Sequence, residues 1–569
     1  MGGHAGHEQE DRESLRPMDP RVFQRKSQML DSPIGTFELD NLSGGMNTKV
    51  HPTRIGPNEA ALIQNFLIKQ GAFAEKRPGL LDKTASTVSG GGSRPTGKTL
   101  GIGHYYPSSG ANSNKLVMAV GSEYLTWDGK GTAASHWTQL AKPAEFTQPT
   151  VRGRMNIVQV FDINDEIAKD QLYIIEEDNT QVLKYTGGAL SIVSGSGGLN
   201  PASGKDAVFW LSRLWVAGSG LEENSYIFFS KIGEPNRVNK SAGYLVNPSD
   251  ETMRIIPFMQ NGLLVFQRNS IWLLDVDQAN FGDLTFDATS IMPLNNDIGT
   301  VAPDSVVQAG QDFFFLSRHG VHRLAKTQRD RPLGVVMPIS ENIKGTIDRI
   351  NWTYVGNAVG TIWDNLYLLA VPLDSATTNS HVLVYDMVEN AWSLFTGWTP
   401  SAFNAVRFAN ADSFYMGDVS DGKLYEVFDE TANTDAGISI ESVIETGRFS
   451  FGGTNFRKHF QYLDLYVYGG TGGEVELHVA KDESDFSLAG TYTIPSGGLA
   501  LGVAGDENSG FILDENAILS DGGLFRNRFY LDRFEACREM QFRFRSNGQN
   551  KVKILYFSVS ALPEQENFD

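Results

Sequence analysis

The chain of 569 residues is 41% hydrophobic and 20% charged, which is enough apolar material for several cores and too much for a disordered or fibrous protein. With 48 Lys and Arg against 67 Asp and Glu, its net charge of −19 argues against a basic face that wraps nucleic acid or lies on an anionic membrane. A single cysteine, Cys537, excludes an intrachain disulfide and a multi-cysteine zinc site and fits folding in a reducing compartment.

Residues 1–35 are polar and charged and read as an extended arm, without the apolar centre of a signal peptide. Gly6 stands where a myristoylation signal wants Ser or Thr. No run of about 18 uncharged apolar residues occurs anywhere, so no membrane-spanning helix is expected. Residues 36–98 read as a docking segment. Pro57 suits a first helical turn, Ala60, Ile63, Phe66 and Leu67 form an apolar side, and Gly71 is a stop, which predicts a short helix. The glycine-rich stretch at 86–97 then predicts a linker.

From 99 to 435 one pattern recurs: an aliphatic and aromatic strand, a short turn, and a second strand carrying an aromatic or Leu. Leu116, Leu172, Leu214, Leu264, Phe314, Leu366 and Phe414 mark seven copies, and their period of about fifty residues is that of a propeller blade. Glycine at 59 positions and an aromatic content of 11% suit short strands and tight turns. The expected fold is all-β: a β-propeller of about seven blades (six to eight), because sheets apolar on both faces are buried by packing radially. Ile339, Ile343, Ile347 and Ile350 follow helical spacing around Ser340, a candidate cap, so one helix should interrupt the repeat. Residues 436–569 change texture to alternating strands between Gly and Asn turns, which predicts an appended antiparallel β-sandwich with a long loop between Ile494 and Leu531.

No catalytic, cofactor-binding or metal site is assigned. His4 and His7 lie in the polar arm, and the fragments 161–166 and 417–423 lack the later Glu of a calcium loop; hairpin turns explain their Asp and Asn. Cys537 sits in a strand context as a buried thiol, and no G-x-S-x-G elbow opens a helix. Arg329 and Arg331 flank Asp330 in a charged loop. The spacing from Tyr385 to Trp392 suits aromatics that fill the wedge between blades.

The most informative stretch is 44–80. Gly44, Gly45, Met46 and Asn47 form a Gly-Gly-hydrophobe-Asn turn, Pro57, Asn58, Glu59 and Ala60 follow, and Gly71, Ala72, Arg77, Pro78 and Gly79 make a glycine-led exit ending in Arg-Pro-Gly. This leader, with propeller and sandwich behind it, resembles the tail nozzle group of short-tailed bacteriophages, also called tail tubular protein B or packaged-DNA stabilisation protein. The resemblance implies a non-enzymatic structural virion protein without cofactors. It would be assembled in the host bacterial cytoplasm as a homo-oligomeric ring, usually a hexamer, in the viral tail. Portal and adaptor proteins of the neck and tail fibres or spikes would be its partners, and duplex DNA would pass through without specific binding. An acidic wall agrees with that role, because it repels phosphate. Two rivals remain: a receptor- or polysaccharide-binding propeller of the tail, with or without glycosidase activity, and a scaffold of the kelch or WD type.

Overall fold

The computed structural model describes residues 35–563 apart from 40, 70–73, 91, 109–113, 151, 166–167, 178, 196–198, 201, 220–222, 241–242, 277–289, 326–336, 409–410, 452–453, 456, 470–471 and 495–523. Seven antiparallel sheets follow one another from Thr99 to Val427. Their innermost strands are Thr99–Tyr105, Met155–Phe161, Asp206–Trp210, Thr252–Phe258, Val307–Ala309, Val359–Trp363 and Pro400–Phe408. The strand of blade 7 lies beside that of blade 1, so the ring is closed. The expected propeller is present, with seven blades.

The seven marker residues all fall on the second strand of a blade, where both faces are buried. Alternate residues there face opposite neighbours. On Arg213–Ser219, Leu214 and Val216 pack toward blade 2 while Trp215 and Ala217 pack toward blade 4. On Asp312–Ser317, Phe313 and Phe315 face blade 4, and Phe314 and Leu316 face blade 6. A strand sandwiched in this way must be apolar at every position, which is why the repeat reads as continuous apolar runs. Tyr385 and Trp392 are cross-strand partners in blade 6, with ring centroids 4.8 Å apart.

The leader is built of strands. They are β1 (Gly35–Leu39), β2 (Gly45–Met46), β3 (Glu59–Gln64), β4 (Phe66–Ile68), β5 (Ala74–Lys76) and β6 (Leu80–Asp82). The short helix expected over Pro57–Gly71 is therefore corrected. Ala60 and Ile63 are both buried on β3 because its pairing slips by a residue between Ala60 and Leu62, and that bulge imitates a helical spacing of three. At Asn65 the backbone turns with φ 56°, and Phe66 and Leu67 continue in another sheet.

These strands tie the molecule together. β6 is the fourth strand of blade 7, paired with Leu424–Val427 on one side and with Thr434–Asp435 on the other. β1, β4 and β5 join Lys458–Gly469, Leu524–Tyr530 and Val552–Pro563 in one sandwich sheet. β3 pairs with Ser442–Phe449 of the other sandwich sheet and also with Ala391–Thr396, the outermost strand of blade 6. One ten-stranded sheet thus runs from blade 6 into the sandwich, and the core between blades 5 and 6 is continuous with the sandwich core.

Two further expectations change in detail. The stretch expected as a linker carries a small hairpin, Thr87–Val88 with Gly92–Ser93, and Ser89 exchanges backbone hydrogen bonds with the last strand of blade 1. Glu341–Ile343 and Lys344–Ile347 form the expected helical turn, but Ser340 does not cap it, because its Oγ accepts the Val321 N–H at 2.9 Å.

Lys76 is buried on β5 and donates to the Gly548 carbonyl. Burial, and then Arg77, lower its ammonium to about 8 from 10.5, while Asp435 partly opposes this. Because the folded-state value is depressed, the unfolded chain binds the extra proton between about pH 8 and 10.5. Stability contributed by this site should rise with pH across that window, the full penalty applying below it. Urea unfolding at a series of pH values should show the rise in the native chain, and the difference between native and Lys76→Met stability should flatten below about pH 8.

Candidate functional site

The seven innermost strands enclose a channel of about 560 Å³, lined by aliphatic residues such as Leu100, Ile157, Val208 and Ile362 together with Asn156, Asp206, Arg254, Asp304 and Gln308. Each blade of an up-and-down propeller returns the chain to the end at which it began, so all the innermost strands start at one mouth. There the charged residues gather. Arg154 precedes the first strand of blade 2, Asp206 opens that of blade 3, Arg254 lies in that of blade 4, and Asp304 sits in the 3-10 turn before that of blade 5. They are separated by 52, 48 and 50 residues, so they occupy equivalent places in successive blades.

Arg154 donates from Nε to Asp304 Oδ2 at 2.7 Å, from Nη2 to Asp206 Oδ1 at 3.0 Å and from Nη1 to the Lys205 carbonyl at 2.6 Å. Arg254 reaches the same two carboxylates through Nη1 alone, at 3.3 and 3.0 Å. The second oxygen of Asp206 accepts the Ile255 N–H at 2.8 Å. Burial by itself would lower the Arg154 guanidinium, and Asp304 and Asp206 more than reverse this, holding it above its ordinary value. Lys98, just before the first strand of blade 1, donates to Asn357 Oδ1 at 2.9 Å. Burial lowers its ammonium, and Asp304 opposes the shift.

Sequence reasoning passed over these five residues. The signal was a fifty-residue spacing of charges in phase with the aliphatic markers, visible only once the starts of the innermost strands are known.

The leader residues singled out from sequence gather elsewhere, at the joint of blades 6 and 7 with the sandwich. β2 runs parallel to β3, so Gly45 lies opposite Glu59 and Met46 opposite Ala60. The Gly44 N–H donates to the Asn58 carbonyl, and Asn47 Nδ2 donates to Glu59 Oε2 at 2.8 Å. Gly45, at φ +69°, lies against blade 6, where a Cβ would come within 2.7 Å of the Trp392 nitrogen. At Gly79 a Cβ would sit 2.0 Å from the Thr434 carbonyl oxygen. Arg77, between Lys76 and Pro78, is 1% exposed and pairs with Asp435. Pro57 stands in the turn before β3. Gly71 and Ala72 lie outside the described residues, as do His4, His7, Arg329, Asp330 and Arg331.

The bland readings of the remaining candidates agree with the geometry. Asp418 Oδ1 accepts the N–H groups of Ser420 and Asp421, and Asp162 Oδ1 accepts that of Asn164, both as turn-forming side chains. Cys537 is buried in the sandwich core, and desolvation pushes its thiol up to about 12. Among the described residues no group of three or more His, Cys, Asp and Glu is placed to hold a metal ion.

No family model and no curated protein matches the chain. Among solved structures it is similar to YCF48 bound to D1 peptide, at 11% identity over 63% of this chain and 99% of that one, with a TM-score of 0.35. It is similar also to the extracellular domain of a putative hybrid two-component system from B. thetaiotaomicron, at 9% identity over 75% and 58% of the two chains (TM-score 0.40), and to an ancestral GH74 enzyme, at 9% identity over 64% and 54% (TM-score 0.35). The likeness is one of fold. The chain spans little more than half the length of the latter two.

Asp206 is only 3% exposed and serves both arginines. Removing one member of a buried ion pair strands its partner, so Asp206→Asn should cost on the order of 3–5 kcal/mol in urea unfolding. A loss under about 1 kcal/mol would mean that the cluster behaves as a solvated surface pair.

Proposed function

We propose that this chain is a wall subunit of a phage tail nozzle, a homo-oligomeric ring through which DNA is retained and then released, and that it works without catalysis. The observation that carries this reading is the arrangement of the leader. The described residues of the leader by which the chain resembles the nozzle family, Gly44 to Asn47, Asn58 to Ala60 and Arg77 to Gly79, lie where propeller and sandwich join, a role suited to a structural block. The charge of −19 supports a surface along which DNA slides without adhering. In the channel both carboxylates are committed to arginines, which gives no support to a free acid and base of the glycosidase kind. The opposite mouth exposes Tyr106, Phe161, Ile163 and Met259, apolar surface suited to a protein neighbour.

A second reading, a polysaccharide-binding propeller, draws support from a cleft of about 470 Å³ on blades 3 and 4, where Tyr226 lies among Asn224, Asp250, Glu251, Arg268 and Asn269. Saturable binding of bacterial surface polysaccharide, abolished by Tyr226→Ala, would favour it over the nozzle.

Negative-stain images and mass photometry should show rings, formed by the chain alone or on its adaptor. The polar arm would dock on neighbouring subunits or the adaptor, so removal of residues 1–35 should weaken assembly while leaving the far-UV β signal intact; equal assembly of both chains would exclude that role. The ring should also show no saturable micromolar binding to duplex DNA at about 50 mM salt, where even weak non-specific binders are detected. Tight binding that falls steeply as salt rises would reveal a DNA-gripping lumen and end the conduit reading.

A further inference from the structure

At the end of the propeller opposite the charge cluster, apolar side chains stand in water. Tyr106 on blade 1, Phe161 and Ile163 on blade 2, Ile232 on blade 3 and Met259 on blade 4 lie in or beside turns at that end and are between 38% and 56% exposed. Turn tips are ordinarily polar, as Gln311 and Asp364 are in the corresponding turns of blades 5 and 6. The apolar tips form an arc over four successive blades, and an exposed patch of this kind marks a contact surface.

These tips are held in place. Met259 takes φ 58°, a left-handed conformation that favours Gly or Asn, so a costly backbone presents a large apolar side chain to solvent. Gln159 grips the Tyr106 backbone at both groups, accepting its N–H at 3.1 Å and donating to its carbonyl at 3.0 Å. The Ile163 N–H donates to the Gly233 carbonyl at 2.8 Å, which ties the tips of blades 2 and 3. The charge among them is negative: the turn 161–170 holds Asp162, Asp165, Glu166 and Asp170 against one base, Lys169. Asp162 and Asp170 accept from Asn164 and Ser108 and meet no Lys or Arg among the described residues. An acidic rim repels an anionic lipid surface.

One segment of this chain has the complementary composition. Residues 20–30 hold Arg21, Arg25 and Lys26, no acid, and the apolar Val22, Phe23 and Leu30, whereas in residues 1–19 acids outnumber Lys and Arg. Phe23 lies twelve residues before Gly35, a tether of roughly 40 Å when extended. Gly35 opens β1 in the sandwich, which joins blades 6 and 7, and in a ring of seven blades the arc is centred on the far side. A copy alongside reaches that side without crossing the channel mouth.

We propose that this arc is the docking site for residues 20–30 of an adjoining copy of the chain, with Phe23 and its apolar neighbours covering the tips and Arg21, Arg25 and Lys26 facing the acids of blade 2. The inference rests on the nozzle reading for the presence of a second copy, and it names the surface that receives the arm. Each subunit then carries one arm and one receiving arc, a head-to-tail contact that repeats around a closed ring.

The test uses the full chain. Phe23→Cys combined with Ile163→Cys, oxidised in the assembled state, should link copies into covalent multimers on non-reducing gels, about tenfold more than Phe23→Cys combined with Gln311→Cys on blade 5. Cys537 is buried and stays out of the reaction. Trypsin should cut slowly after Arg21, Arg25 and Lys26 in the native assembly, and about tenfold faster when Ile163→Ser and Met259→Ser are combined. Both positions are exposed, so the doubly substituted chain should still unfold cooperatively near the native temperature. Links no stronger than at Gln311, links confined within single chains, or equal cleavage of the native and doubly substituted chains would each overturn the contact and leave the arc to a different partner. Rings that lack the link would overturn it while leaving the nozzle reading in place; linked copies that form no ring would support the contact and count against the nozzle.

Discussion

The architecture depends on one buried cation. Arg77 is almost wholly removed from water, and a guanidinium in that position is tolerated only if its donors are satisfied. All five are. Nε donates to Asn65 Oδ1, Nη1 to Asp435 Oδ1 and the Pro78 carbonyl, and Nη2 to Asp435 Oδ2 and the Thr396 carbonyl. The Trp398 ring lies against the guanidinium, 4.7 Å from its carbon. Thr396 ends the last strand of blade 6, Asp435 pairs beside β6 on blade 7, and Asn65 is the hinge where the chain leaves one sandwich sheet for the other. Asn65 in turn donates to Thr396 Oγ1 and the Glu441 carbonyl. A lysine has neither the number nor the planar arrangement of donors to hold these groups together.

The same joint explains how the ring closes. Blade 7 obtains its fourth strand from β6, hundreds of residues earlier in the chain, and Gly79 lets the backbone reach it by passing directly against Thr434. A strand that precedes the repeat is thus fastened to the last blade by backbone hydrogen bonds, and Ser89, a few residues on, bonds the last strand of blade 1. The additional pairing of β3 with blade 6 then makes the sandwich an extension of a blade, and the two modules share a core.

Repetition produces two patterns at once. Its apolar component was legible: Leu116, Leu172 and the other markers fall on second strands because these are buried on both faces. Its polar component, from Lys98 through Arg154, Asp206 and Arg254 to Asp304, was not, because a charge at a strand start looks like any solvated turn until radial packing brings five blades to one mouth. The leader misled in the opposite way. Ala60 and Ile63 carry a helical spacing that a β-bulge also generates, and local pattern has no means of separating the two when the partner strand, Ser442–Phe449, lies far along the chain.

The sequence by itself determined the β character and the propeller repeat, since each is written in local periodicity, turn chemistry or composition. Only the tertiary structure decided that the leader is strand, that it closes blade 7 and joins the sandwich, and that Arg77 and Asp435 meet. It also decided that the charges of five blades form one cluster. These are pairings between residues tens to hundreds of positions apart, selected by which burial leaves no donor or charge unmatched, and that balance exists only once the chain has folded.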